Sequence, residues 1–386
     1  MDEISVDLIH EIFIRIPIKS LLKARCVSKS WRKIIDDPFF ANMQYDCGEV
    51  EEKTLLVRTL GPENTSSLYA TVTAYDNEET MLIHAATVPM VKLPLQDRKI
   101  YGSCNGLLYF AEHNGGRIVV SNPLRSQFTI LPSMPTRMYY CWDSHWTAIG
   151  LGFDSSTKTF KMVCTNKKPK SSHFTLVHTL GTMFWREVPS VGAYFCSKNL
   201  DYKSVYVHGF LHWMMDPFEI DNGGGRILAF DVSKETFNVV PHPELSFEKH
   251  SPRHFRILDI KGNLGMLDLS FHTKFDLWVM DYEKKSWGKE YTIDITIVGE
   301  IYVDVTEVIG LWKQDEIMFK FQNRALNPNF VHYWSYGMRT VQGRVSLSRF
   351  SSQLLVDTED SIAGKVIDFC NADVAVDQYQ MLICSF

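Results

Sequence analysis

A chain of 386 residues with 45% hydrophobic and 22% charged side chains has enough apolar surface for one large core or two ordinary ones, which excludes a disordered chain. Its formal net charge of −5 excludes a general nucleic-acid or anionic-membrane binder, which usually shows a basic excess. The eight cysteines are scattered without a C-x-x-C pair, so no zinc or redox motif is formed and they read as small buried hydrophobes.

Asp2 and Glu3 stand where a secretory signal would carry basic residues, and no apolar run approaches the ~20 residues that cross a bilayer. The expectation is a cytosolic or nuclear protein with no membrane partner. Residues 4–44 then place apolar side chains at helical spacing, while nearly everything after them alternates or clusters like strand and turn. The chain therefore divides into a small helical head and a large β body.

In the head, Ser5 is a candidate N-cap and Asp7 a first-turn acid; Leu8, Ile9, Ile12, Phe13 and Ile16 form a broad apolar face up to Pro17. A second segment, 18–25, carries Leu21 and Leu22. A third, 27–35, sets Val27, Trp31, Ile34 and Ile35 at helical intervals before Asp36, Asp37 and Pro38 stop it. A unit of about 40 residues hides little surface by itself, so this apolar excess needs either the β body or another chain. Lys19, Lys23, Arg25, Lys29, Arg32 and Lys33 crowd the second and third segments, which suits an acidic protein partner or a solvated face.

The run V-D-L-I-H-E-I-F-I-R-I-P-I-K-S-L-L-K-A-R-C-V-S-K-S-W-R-K-I-I-D-D-P-F-F resembles an F-box, the three-helix module that docks on the Skp-type adaptor of cullin-based SCF ubiquitin ligases. Carried over by position, the resemblance implies that Asp7, Leu8, Ile9, Ile12, Pro17, Leu21, Leu22, Val27, Lys29 and Trp31 serve adaptor binding or the head's own core. Which residues do which is left open at this point. The family usually opens with Leu-Pro before the acidic residue; this chain has Ile4-Ser5.

After an acidic connector, 45–52, the body 53–386 repeats itself. The segment from Arg117 to Asn122 followed by Phe128 to Pro132 aligns without a gap on Arg226 to Asp231 followed by Phe237 to Pro241. The same spacing recurs from Asp154 to Phe160 and from Asp281 to Trp287, and Trp185 to Pro189 is a half-match. Between these hairpins stand a Gly and an apolar strand: Asn105-Gly106, His208-Gly209, Gly262 and Gly310-Leu311. A mainly β body with a period of ~40 to 50 residues is the signature of propeller blades. About six blades are expected, or seven if 366–386 completes another; a β-sandwich pair is the competing architecture.

Gly102 to Leu108, Asn122-Pro123, Leu151 to Asp154, Val207 to Trp213 and Ile227 to Asp231 also resemble the F-box-associated domain found behind F-boxes in a large plant family. That resemblance implies a kelch-like propeller that recognises a target protein.

Catalytic chemistry finds no foothold. There is no G-x-S-x-G elbow, no H-E-x-x-H and no phosphate loop, since Gly223-Gly224-Gly225 lacks the following Lys and helix. His208 and His212 read as packing residues on one face of a strand beside Trp213, and Cys141 with His145 is at most half a zinc site. No metal or cofactor is expected. The aromatic cluster outside the repeat, Arg137, Tyr139, Tyr140, Trp142, His145 and Trp146, has the residue types enriched at binding hot spots and is the candidate target contact.

The expected function is the non-catalytic substrate-receptor subunit of an SCF-type ligase, linked through the Skp-type adaptor to cullin and RING subunits. The alternatives are an adaptor-bound propeller acting outside degradation or binding a small molecule or glycan, and a propeller enzyme.

Overall fold

The computed structural model describes residues 5–16, 18–37, 40, 43, 53–60, 66–71, 88–93, 98–112, 117–122, 127–135, 148–167, 173–190, 203–214, 227–243, 254–271, 274–294, 304–312, 316–322, 331–337, 353–356, 365–368 and 380–385. Three helices come first: α1 (Val6–Ile14), α2 (Ile18–Ala24) and α3 (Lys29–Ile35). Ser5 caps α1 by accepting the Leu8 amide, and Ser28 caps α3 by accepting the Trp31 amide. The third helix therefore starts two residues later than the apolar pattern suggests, with Val27 left in the turn before the cap.

The remaining elements are strands. They are β1 (Lys53–Leu60), β2 (Ser66–Thr71), β3 (Val88–Leu93), β4 (Arg98–Cys104), β5 (Leu107–Glu112), β6 (Ile118–Asn122), β7 (Gln127–Ile130) and β8 (Ala148–Asp154). Then follow β9 (Thr159–Lys167), β10 (His173–Thr179), β11 (Arg186–Val188), β12 (Val205–Val207), β13 (Phe210–Met214), β14 (Ile227–Asp231), β15 (Thr236–Val240), β16 (Phe255–Ile260) and β17 (Asn263–Asp268). The last are β18 (Lys274–Asp281), β19 (Ser286–Asp294), β20 (Asp304–Trp312), β21 (Glu316–Gln322), β22 (Val331–Gly337), β23 (Gln353–Val356), β24 (Lys365–Asp368) and β25 (Gln380–Ser385).

Strands consecutive in sequence pair antiparallel into the sheets β4–β7, β8–β11, β12–β15, β16–β19 and β20–β22, with β23 and β24 as a separate pair. The exception is the sheet ordered β25-β1-β2-β3, in which β25 lies beside β1, Leu55 opposite Ile383. Within 366–386, the described residues 366–368 belong to the β23–β24 pair and 380–385, as β25, join the first sheet. The first strands of successive sheets lie side by side: β4 by β8, β8 by β12, β12 by β16, β16 by β20, β20 by β25 and β25 by β4. The body is a propeller-like array of antiparallel sheets.

Two turn types generate the repeat. Asn105-Gly106, His208-Gly209 and Lys261-Gly262 each have positive φ at both residues, the two-residue hairpin turn whose twist matches that of the strands it joins. The other turn starts at an aspartate: Asp154, Asp231 and Asp281 each accept two backbone amides, two and three residues on. Four residues on, Lys158, Glu235 and Lys285 take positive φ, and the next strand begins. The aromatic six residues after the aspartate then pairs across the hairpin, Phe160 opposite Phe153 and Phe237 opposite Phe230. Gly310 departs from the expectation of a turn glycine, because it sits inside β20 at a register shift. His208 departs as well: it is a turn residue rather than a strand residue.

The core lies between sheets rather than within them. Ile149, Leu151 and Phe153 of β8 pack toward Tyr109, Val120 and Leu131 of the preceding sheet. The alternate positions of β8 are Ala148, Gly150 and Gly152, facing Leu211, Trp213 and Val232 of the next. A Cβ on Gly152 would lie 2.5 Å from Val232 Cγ2, so this seam closes to a distance only glycine allows. Phe255 and Met266 fill the seam to β12–β15, and Leu258, Phe275 and Ile317 the seam to β20–β22.

Candidate functional site

Helix α1 is apolar on two faces. Ile9, Phe13 and Ile16 turn inward to a small core of Leu21, Ile35 and Phe40, where Trp31 meets Phe13 edge-on at 5.1 Å. Leu8 and Ile12, one turn apart, stay about half exposed at 49% and 46%. With Val6 and Val27 they make four of the ten exposed large hydrophobic residues among the described residues, a disproportionate share for so small a unit. An amphipathic helix needs one apolar stripe for its own core; the second is exposed among the described residues.

The ten head positions singled out from sequence now divide. Leu21 is buried and Ile9 and Trp31 are half-buried within the head's core. Asp7, Leu8, Ile12, Val27 and Lys29 are exposed. Pro17 and the side chain of Leu22 lie outside the described residues. The basic cluster also divides, since Arg25 grips Asp36 through two hydrogen bonds of 2.7 and 2.8 Å. That pair offsets an anionic residue at the carboxyl end of α3, where the helix dipole disfavours it. Lys23, Lys29, Arg32 and Lys33 are exposed, Arg32 also lying 3.8 Å from Asp36, and the side chain of Lys19 lies outside the described residues.

In the body, a hairpin of one sheet docks on the neighbouring sheet. At the β4–β7/β8–β11 seam the Trp185 indole donates to the Pro132 carbonyl at 2.8 Å; at the β12–β15/β16–β19 seam Trp287 donates to Pro241 at 2.6 Å. Between β8–β11 and β12–β15 the equivalent aromatic is Phe237, which has no N–H. Here Lys161, 8% exposed, reaches Asp154 at 2.7 Å, Glu235 at 2.8 Å and the Val232 carbonyl at 2.9 Å. Arg186 closes on both oxygens of Glu235. Burial works against charge at Asp154, yet bonds from Lys161, Ser156 and Thr157 prevail and hold its carboxyl well below the usual range. Glu235 is lowered in the same way, burial being outweighed by Arg186 and Lys161.

His212 is fully buried on β13, with Nδ1 3.2 Å from the Val205 carbonyl and Nε2 2.9 Å from the Tyr282 hydroxyl. The His208 ring lies tilted against Tyr282, centroids 4.4 Å apart. Among the described residues no group of three or more His, Cys, Asp or Glu side chains could hold a metal ion, and no helix is long and apolar enough to cross a membrane.

The sequence-predicted target contacts Arg137, Tyr139, Tyr140, Trp142, His145 and Trp146 lie outside the described residues. Sequence reading passed over Met183 and Phe184, which are 83% and 65% exposed. Their turn is tightly held: Thr182 is bonded twice to the Thr179 carbonyl, and the Phe184 carbonyl meets His178 Nδ1 at 3.1 Å. The signal was present in the repeat. Aligning Trp185 with Phe237 and Trp287 sets Met183-Phe184 over Glu235-Thr236 and Lys285-Ser286, so an apolar pair stands where other turns are polar.

The chain thus sets a capped helical head with exposed apolar surface in front of a propeller-like array of antiparallel sheets. Residues 61–367 match the family described as the F-box associated beta propeller domain, and residues 1–42 match the F-box domain. The chain belongs to this F-box associated propeller family. Among curated relatives, one F-box protein of Arabidopsis thaliana is 25% identical over 87% of this chain and 73% of its own length. Another from the same plant is 26% identical over 76% of this chain and 79% of its own length. A hypothetical selenium-binding protein from Sulfolobus tokodaii aligns at a TM-score of 0.36 and 13% identity, over 79% of this chain and 74% of that chain, a likeness too loose to carry any part of the reading.

Proposed function

We propose that this protein is the substrate-receptor subunit of an SCF-type ubiquitin ligase. The head, residues 1–44, binds a Skp-type adaptor through the exposed Leu8, Ile12 and Val27 with Asp7 and Lys29 beside them; cullin and RING subunits join through that adaptor. After the connector 45–52, residues 53–386 form a ring of six blades closed by β25 on β1, with β23 and β24 outside the blade count, and this ring binds a target protein. The chain does no bond chemistry itself. It holds the target near a ubiquitin-conjugating enzyme, so that transfer to a lysine becomes quasi-intramolecular.

The observation that carries this reading is the second apolar stripe of α1. Leu8 and Ile12 contribute nothing to the head's own core, so charging them should leave the fold intact and abolish docking. Leu8→Asp with Ile12→Asp is expected to eliminate co-purification with the adaptor while the melting temperature of the body stays unchanged. Adaptor binding at full strength in that variant rejects the assignment. For the target side, Met183→Ser with Phe184→Ser should retain the adaptor, shift stability by no more than about 0.5 kcal/mol, and reduce ubiquitination of whatever target the wild type modifies.

A further inference from the structure

The seam between β12–β15 and β16–β19 is held by a neutral buried imidazole. The Val205 carbonyl can only accept, so Nδ1 of His212 carries the proton and Nε2 accepts from the Tyr282 hydroxyl. Tyr282 belongs to the turn between β18 and β19, so this bond crosses from one sheet to the next. The titratable and charged groups facing the joint are His208 from the β12–β13 turn, Tyr282, and Asp259 of β16, whose charge acts on Tyr282. His208 is tied to Asn263 at 3.2 Å, and Asp259 to the Gly262 amide at 2.7 Å.

A second proton on His212 would turn Nε2 into a donor aimed at a hydroxyl that is itself donating. The hydroxyl hydrogen would have to swing away, and a cation would remain in a site with no exposed surface. We propose that this joint is an acid-sensitive release in the ring: protonation of His212 uncouples Tyr282 and loosens this seam while the ion-paired seam beside it still holds.

Burial supports the order of events. It pushes His212 down to about 4 from the ordinary imidazole range, so the unfolded or opened chain binds the proton first. The stability this group contributes is present above about pH 6.5 and is lost as pH falls toward its folded value. Asp154, held well below the usual carboxylate range by Lys161, Ser156 and Thr157, keeps its charge until the medium is more acidic still, and Glu235 is lowered in the same direction. The two seams therefore yield in sequence.

Hydrogen exchange of the full chain, stepped from about pH 7 to about pH 4 and corrected for intrinsic rates, tests this order. Peptides spanning 205–214 and 281–289 are expected to gain exchange about tenfold per pH unit through the transition, with 154–161 and 231–237 unchanged. His212→Gln should remove that pH dependence. If the variant fails to fold, the imidazole resonance of wild-type His212 gives the same answer, since the exchange gain should level off at the pH where that resonance titrates. Simultaneous loosening of all four segments, or an unchanged 205–214 down to about pH 4, overturns the proposal.

Discussion

Two neighbouring seams of the ring solve one docking problem with different chemistry. Where β4–β7 meets β8–β11, a tryptophan after the β10–β11 turn, Trp185, donates to the carbonyl of Pro132, just past the outer strand β7 of the adjoining sheet. Where β8–β11 meets β12–β15, the same position is Phe237. The lost N–H is replaced by four charged side chains from both sheets: Asp154, Lys161, Arg186 and Glu235. An indole bond can be removed without leaving a charge behind. A buried lysine between two carboxylates cannot, so the substitution makes this seam costlier to damage than the seam that keeps the repeat's tryptophan.

The comparison breaks first at Lys161. Lys161→Met strands Asp154, which is 1% exposed, beside an incompletely paired Glu235, and should cost about 3 to 5 kcal/mol in urea unfolding of the whole chain; a loss under about 1 kcal/mol would mean that the cluster is not what holds this seam. Next comes the glycine side of the same interface. Gly152→Val puts atoms where Val232 stands and should cost about 1 to 3 kcal/mol or more, read as a fall in thermal midpoint. The smallest effect belongs to the tryptophan seams: Trp185→Phe and Trp287→Phe each remove one N–H and should each cost about 1 kcal/mol. A large difference between those two would show that the seams they serve are not equivalent.

Much of this architecture was legible in the sequence. The aspartate turns were readable because a side-chain oxygen that caps two amides and an aromatic that pairs across the hairpin must stand at a fixed spacing. Asn105-Gly106 was readable because few residues accept positive φ, whereas His208, also at positive φ, read as a strand residue because it shares a face with His212 in the alternating pattern. Gly310 misled because a bulge also favours glycine. The ion cluster was invisible, since Lys161 and Glu235 belong to different repeats and nothing local couples them. The fate of residues 380–385 was hidden for the same reason. In the head, a helix apolar on two faces cannot be divided into inside and outside from periodicity alone; Leu8 and Ile9 look alike in sequence and differ only by which way α2 and α3 pack.

The pairing of β25 with β1 has a consequence for synthesis. During translation β1 emerges early and finds β2, but its other edge has no strand to bond until on the order of 300 further residues have been made, roughly tens of seconds at cellular elongation rates. Throughout that interval a strand edge of the first sheet stands open beside a head that can already fold. Open edges invite pairing with other chains, so the nascent chain should need chaperones most in the interval between the synthesis of β1 and that of β25.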